Sequence, residues 1–346
     1  MHPIHKVLIA GGTGLIGYHS ALEFLKHNIQ VDVISCNSHY ENEDWFDKRI
    51  HVIQLDLFSI SEEDFLNQIK DKNYDCFVYA LGPDDRVIPN APAYDFFYDK
   101  LVTQCKKICS AVKKAKIKRC ILLGSYFAAY DRKLKGKLSK YHPYILARVQ
   151  QEKEIIELKD NHYLDVMILE LPYIFGVLPG KKPLWRESFL KYFDSFKYVI
   201  FPKNGGTALI DVDCVAQCIY ACALYGLHGK TYLVGKLNLP FKELLPIMLK
   251  EAKDSRKYKE IPAFIAALGA KIIDKKFKKK GLESGLNHAK LMTQIQNKKF
   301  YADYAQLKKE LHFEELKLDG GSDIFECISK TMQACYPERF NFMKGE

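Results

Sequence analysis

The stretch "VLIAGGTGLIGYHSALEFL", Val7 to Leu25, constrains the fold more than any other. An apolar run that reads as a buried strand leads into Gly11, Gly14 and Gly17 and out into an amphipathic helix from Leu15 to Lys26. A tight turn after a strand, close approach of backbone to a bound group, and contact of helix on strand each exclude a Cβ. The helix start presents free N–H groups and the positive end of its dipole, which suits a phosphate or pyrophosphate. Thr13 adds a hydroxyl donor, and Gly12, Leu15 and Ile16 complete the candidate loop.

The rest of the first half repeats the alternation. "VDVIS", "HVIQL", "CFVYAL", "RCILLG" and "LDVMILEL" read as further buried strands. Helical segments are expected at Glu62 to Lys70, Tyr94 to Lys116 and Tyr144 to Lys159. Strand, helix, strand order with short connections implies a parallel sheet covered on both faces. The expected class is α/β, a doubly wound parallel Rossmann sheet with a smaller, mostly helical C-terminal substrate lobe. Beyond Gly176 the regularity breaks at Pro179, Gly180, Pro183, Gly205 and Gly206, and from Lys230 the pattern is mostly helical with one short strand, "KTYLVG". The nucleotide domain is therefore placed at 1–176 plus 209–229, including a helix from Val212 to Tyr225, and the lobe at 177–208 plus 230–346.

A net charge of +10, from 52 Lys and Arg against 42 Asp and Glu, favours anionic ligands. The basic runs "DRKLKGKLSK" and "DKKFKKKG" read as solvated loops or faces, so nucleic acid is not the expected partner. Ten cysteines and an amino end, "MHPIHKVLIAGG", without signal-peptide character point to a reducing cytoplasm. Cys214, Cys218 and Cys222 would line one helix face as packing residues, and no metal site is expected. The apolar run "IPAFIAALGAKII" is too short to cross a bilayer, and no membrane association is expected.

With the GxxGxxG spacing, "QLDL" after the third strand, "PYIFG" after the sixth, "GGTALIDVDCVAQCI" and "YADYAQLKKELHF", the chain resembles the extended short-chain dehydrogenase/reductase family of the NAD-dependent epimerase/dehydratase type. The resemblance spans essentially the whole chain. It implies NAD(P) as cofactor, with Asp56 near the adenine, Ala80, Leu81 and Gly82 beside ribose and phosphates, and Leu57, Pro172 and Tyr173 among the cofactor-binding residues. At the end of the second strand Ser35 stands where NAD enzymes carry an acid and Cys36 where NADP enzymes often carry Arg. Without the acid, a 2′-phosphate meets no repulsion, and Ser35, Asn37 and Ser38 offer hydrogen bonds. The balance tips slightly to NADP.

The same resemblance implies a hydroxyl at the end of strand five and a YxxxK pair at the next helix start. Here "PYILARVQQEKEI" supplies Tyr144 and, one turn on, Arg148 in place of lysine. A guanidinium can hold ribose hydroxyls and favour a tyrosinate but does not give up its proton, which impairs the usual relay. Either Ser125 or Tyr126 fills the hydroxyl position. The Asp-Glu pair that the family's dehydratases carry after that hydroxyl is absent, so hydride transfer remains, as in an epimerase or a carbonyl reductase, with a nucleotide sugar as the model substrate. Asp84, Asp85 and Arg86 could face the substrate, as could Lys181, Lys182, Trp185 and Arg186; Leu101 and Glu170 replace the family's Asn and Arg. A cofactor-binding regulator with weak catalysis stays open beside the enzyme, and a nucleic-acid-binding relative beyond both. A homodimer through the Tyr94 and Tyr144 helices is the expected assembly by the same analogy.

Overall fold

The computed structural model describes residues 2–36, 43–158, 164–188 and 197–340. The chain begins β1 (Lys6–Ala10), α1 (Leu15–Lys26), β2 (Gln30–Ser35), β3 (His51–Gln54), α2 (Glu62–Ile69), β4 (Cys76–Tyr79), α3 (Ala93–Phe97), α4 (Gln104–Lys114), β5 (Arg119–Ser125) and α5 (Tyr126–Lys133). It continues α6 (Pro143–Ile156), β6 (Asp165–Leu171), β7 (Tyr173–Phe175), α7 (Leu184–Ser188), β8 (Tyr198–Pro202), β9 (Gly206–Asp211) and α8 (Val212–Tyr225). The remainder holds β10 (Thr231–Leu233), β11 (Leu237–Pro240), α9 (Phe241–Glu251), β12 (Lys257–Ile261), α10 (Ala263–Lys279), α11 (His288–Gln294), β13 (Lys299–Phe300), α12 (Tyr304–Glu310) and α13 (Ile324–Cys335).

Seven strands make the central sheet in the order β10-β6-β5-β4-β1-β2-β3, every neighbouring pair parallel. The order reverses between β1 and β4, which opens a crevice beyond their carboxyl ends. Along β1, Val7 and Ile9 join the core shared with α1 and α8, while Leu8 and Ala10 join the one shared with α2 and α4. Burial on both faces explains why these strands read as unbroken apolar runs. Cys214, Cys218 and Cys222 are fully buried in α8, in the core they share with α1. The long helix expected from Tyr94 is α3 and α4 joined through a π turn, Tyr98–Thr103.

The lobe differs from expectation in two ways. β10, assigned to it from sequence, pairs with β6 and closes the main sheet, and Leu307, Leu311 and Phe313 around α12 return to the main core. It also carries more strand than expected: β9 gathers β7, β11 and β13 into a four-stranded sheet, and β8 pairs with β12. These strands are two to six residues long and several, such as "KYKEI", are polar, so no apolar run marked them. Two clusters seat the lobe. Phe175, Trp185, Phe201, Leu244, Met248 and Met332 form its own core; Phe97, Tyr126, Phe127, Tyr130, Tyr144, Leu286 and Phe300 pack it onto the main domain.

Candidate active site

The glycine loop folds as its sequence requires. Gly11 has φ +82°, and a Cβ there would lie 2.5 Å from the Ala80 carbonyl oxygen. A Cβ on Gly12 would strike Val33 at 2.2 Å, and one on Gly17 would come within 2.3 Å of the Gly11 oxygen. Gly14 is different: its Cβ would meet only the Gly11 oxygen, at 3.2 Å, so packing alone does not demand glycine there. Gly14 is the N-cap of α1 and offers no side-chain cap, leaving the amides of the first turn without a protein acceptor among the described residues. Lys181 reaches from the lobe to donate to the Thr13 carbonyl at 2.9 Å, setting a cation on the loop. A dinucleotide's pyrophosphate fits this cradle by charge and by the absence of side chains.

Above the loop lies a cavity of about 1100 Å³, lined by Gly11, Gly14, Leu15, Ile16, Gly17, Ala80, Leu81, Gly82, Ser125, Tyr126, Tyr144, Arg148, Pro172 and Tyr173 among others. Ligand pockets usually span about 300–1,000 Å³, so one cavity has room for a cofactor and a substrate together. Six of the described cofactor-side candidates do not line it. Gly12 is spent on Val33, Leu57 is buried in the core under α2, Asp56 is exposed and accepts from the Phe58 amide at 2.9 Å, and Cys36 is exposed. Thr13 and Ser35 share a hydrogen bond of 2.7 Å behind the loop and also stand outside the lining. Asn37 and Ser38 lie outside the described residues. Asp32 points away, paired with Lys6 at 3.0 Å and accepting from Tyr74 at 2.6 Å.

Tyr144 and Arg148 stand on one face of α6. Arg148 donates from Nε to Tyr144 Oη at 3.0 Å, and from Nη1 to the Leu123 carbonyl at 3.1 Å and to Gln151 Oε1 at 2.8 Å. The helix start is held by the lobe: the Tyr144 amide donates to the Gly285 carbonyl at 3.0 Å, and the ring meets Phe97 edge-on at 5.4 Å. Burial raises the Tyr144 pKa, and the Arg148 guanidinium partly offsets it. Ser125 ends β5, lines the cavity and caps α5 by accepting from the Phe127 amide at 3.3 Å. Tyr126 lines it too, its hydroxyl 3.2 Å from Thr207 Oγ1.

On the substrate side, Asp84 and Asp85 flank Arg86. Arg86 pairs with Asp84 at 3.1 Å, while its Nε, buried and 3.7 Å from Asp85, makes no hydrogen bond. Burial raises the Asp85 carboxyl, with Arg86 opposing it, and raises the neighbouring Tyr173 phenol. Lys182 lines the cavity. Trp185 lines it as well but belongs to the lobe core, stacked on Phe175 at 4.6 Å and donating to the Ile174 carbonyl. Arg186 does not reach it: the guanidinium binds the Cys335 carbonyl, Glu338 and the Tyr336 ring.

Sequence reasoning missed the ground beneath the pair. Glu152, one turn past Arg148, shares Arg132 with Glu170 across β6, at 2.6 and 2.5 Å, both carboxylates buried. Burial raises both carboxyls above the ordinary range, repulsion from Glu170 adds to the rise at Glu152, and Arg132 pulls both back down. The sign that could have revealed it is spacing: Arg148, Gln151 and Glu152 share the face of α6 that Tyr144 turns inward.

The chain superposes on a crystal structure of gox2253 with a TM-score of 0.72 at 15% identity, covering 97% of this chain and 99% of that one. UDP-glucose 4-epimerase from Bifidobacterium longum, in complex with NAD+ and UDP, gives 0.66 at 15% identity over 97% and 99%. UDP-glucuronic acid 4-epimerase from Bacillus cereus, in complex with UDP-glucuronic acid and NAD, gives 0.65 at 13% over 96% and 99%. At such identities the likeness shows the fold. No curated protein sequence matches. The model of the NAD dependent epimerase/dehydratase family matches residues 7–235, more than half of the chain, which therefore belongs to that family.

Proposed function

We propose that the protein is an NAD(P)-dependent oxidoreductase that moves a hydride to or from a carbon bearing a hydroxyl or carbonyl, with Tyr144 as the acid/base. The observation that carries this reading is the meeting of the glycine cradle, Ser125 and the Tyr144–Arg148 pair on one cavity. The nicotinamide, when bound, supplies the hydride chemistry. Every other element is this chain's own: the cradle holds the pyrophosphate, Ser125 or Tyr126 orients the substrate oxygen, and Tyr144 exchanges a proton with it. Arg148 Nη1 is committed to Leu123 and Gln151, so Nη2 is left to hold a ribose hydroxyl. The guanidinium keeps its protons, so Tyr144 is recharged through water or ribose and turnover is slow.

A nucleotide sugar is the proposed substrate, as in the epimerases to which the chain is similar, with Arg86 Nε, which makes no hydrogen bond of its own, as an anchor for a substrate oxygen. We favour NADP over NAD because no acid stands at the end of β2 to repel a 2′-phosphate. The nucleotide domain and the lobe remain the proposed division of labour, with the α3–α4 and α6 helices as the dimer contact and the cytoplasm, suited to ten free cysteines, as the location.

The raised Tyr144 pKa keeps the phenol protonated through neutral pH. Carbonyl reduction, which needs the acid, should stay flat as pH rises through the neutral range; alcohol oxidation, which needs the phenolate, should climb. The test is turnover of UDP-sugars and simple aldehydes with NADH or NADPH in wild type, Tyr144→Phe and Arg148→Lys. Turnover unchanged in Tyr144→Phe removes the catalytic assignment, and nucleotide binding with no turnover by wild type across the panel leaves a cofactor-binding regulator. Faster turnover in Arg148→Lys marks the arginine as a specialisation away from speed.

A further inference from the structure

Helix α10 is built inside out. Its alanines face the protein, Ala267 and Ala270 being buried, while Phe264, Ile265, Leu268 and Ile272 are 66%, 46%, 60% and 58% exposed. A helix on a globular protein turns its large apolar residues inward. Phe264, Leu268 and Ile272 stand four residues apart, so they form one stripe, and Lys275 and Lys279 prolong it along the same face. Lys271, Lys276, Lys278 and Lys280 surround that end, and the helix's only acid, Asp274, is turned to His288, at 2.7 Å, and to the start of α11. The outer face is thus apolar in its first half and cationic in its second.

The exposed apolar surface is also localised. Of the nine large hydrophobic side chains exposed among the described residues, four are on α10, and Leu184 and Ile200 join Ile265 and Ile272 at the rim of the active-site cavity. The inner side of the same helix, through Ala266, Gly269 and Ile273, forms the cavity's apolar wall. Among the described residues no helix is long and apolar enough to cross a membrane. Lying on one is a separate matter: it needs an apolar stripe, lysines and no great length.

We propose that α10 seats the protein on an anionic membrane surface, its Phe264–Leu268–Ile272 stripe in the headgroup boundary and its lysines on the lipid phosphates, with the mouth of the cavity turned to the bilayer. Charge complementarity selects this occupant: the face sets lysines beside its apolar stripe and so calls for anionic groups beside an apolar layer, which a second α10, itself cationic, does not supply. The docking rests on the surface of α10 and not on the role given to Tyr144.

The test is flotation of the full chain with phosphatidylcholine vesicles made with and without phosphatidylserine. Wild type should float with the anionic vesicles, stay behind with the neutral ones, and be released by salt. Phe264→Ser/Leu268→Ser should lower the partition about tenfold or more, and Lys275→Glu/Lys279→Glu should do the same. None of these four residues lines the cavity, so NADPH affinity and melting temperature should hold in both variants. If a variant fails to fold, the wild-type lipid and salt arms still decide. Wild type that ignores both vesicles, or binds them equally, overturns the proposal. So does a stripe variant that binds vesicles as before but changes the oligomeric state, which would make α10 a contact between copies.

Discussion

The cavity wall built by α1 and α6 and the wall built by α10 differ in where they keep their large apolar side chains. In α1, Tyr18, Phe24 and Leu25 are buried, and glycines bring the helix start against β1 so closely that a Cβ on Gly17 would overlap a carbonyl. In α6, Tyr144, Ile145 and Ile155 are buried and even Arg148 and Glu152 face inward. In α10 the alanines are inside and the bulk outside. The first wall has no room for a side chain at Gly17 without moving backbone; the second could change several at little cost to its own packing. Placement of polar chemistry follows packing precision, because the proposed hydride transfer needs reacting groups held to within a fraction of an ångström.

The largest effect that would sharpen this contrast lies on the rigid wall. Tyr144→Phe should reduce the catalysed rate by about 10²- to 10⁴-fold, with NADPH affinity unchanged by fluorescence titration. Next, Arg132→Ala should destabilise the protein by about 3 kcal/mol, because Glu152 and Glu170 are left buried together. The sign with pH is fixed by their raised pKa values. A carboxyl with a raised folded pKa contributes stability when protonated and loses it as pH rises through that pKa, so urea titrations should show the variant's deficit growing from acid to alkaline pH. Gly17→Ala should destabilise by about 1–3 kcal/mol, whereas Gly14→Ala should leave the unfolding midpoint near wild type and weaken nucleotide binding. Smallest of all, Leu268→Ser on α10 should shift stability by no more than about 0.5 kcal/mol. A large loss there would show that α10 packs more tightly than its exposure indicates and would erase the contrast.

Much of the rigid wall was legible because its requirements are local. Glycine spacing after an apolar run predicts Gly11, Gly14 and Gly17, and the helices from Leu15 and Val212 end where their periodicity ends. The position of Tyr144 was legible through its proline and its distance from strand five. What was not legible depended on partners far along the chain. The Glu152–Arg132–Glu170 cluster joins two helices and a strand, and a charged residue on a helix reads as solvated until its neighbours are known. β10 looked like part of the lobe because only its parallel pairing with β6 reveals its sheet. The run that contains α10 could be judged for length but not for sidedness, since sequence does not say which face the protein covers. Ser35 illustrates the middle ground: its position at the end of β2 was right, yet its hydroxyl is already shared with Thr13.

The central claim is that the uncapped start of α1, with Lys181 beside it, exists to hold a dinucleotide's pyrophosphate. Isothermal titration of wild type and Gly14→Ala with NAD+ and NADPH tests it most directly. Saturable heat in wild type, sharply weakened in a variant that unfolds at the same denaturant concentration, is the predicted result. Absence of heat at millimolar nucleotide in wild type, or equal affinity in the two proteins, contradicts it.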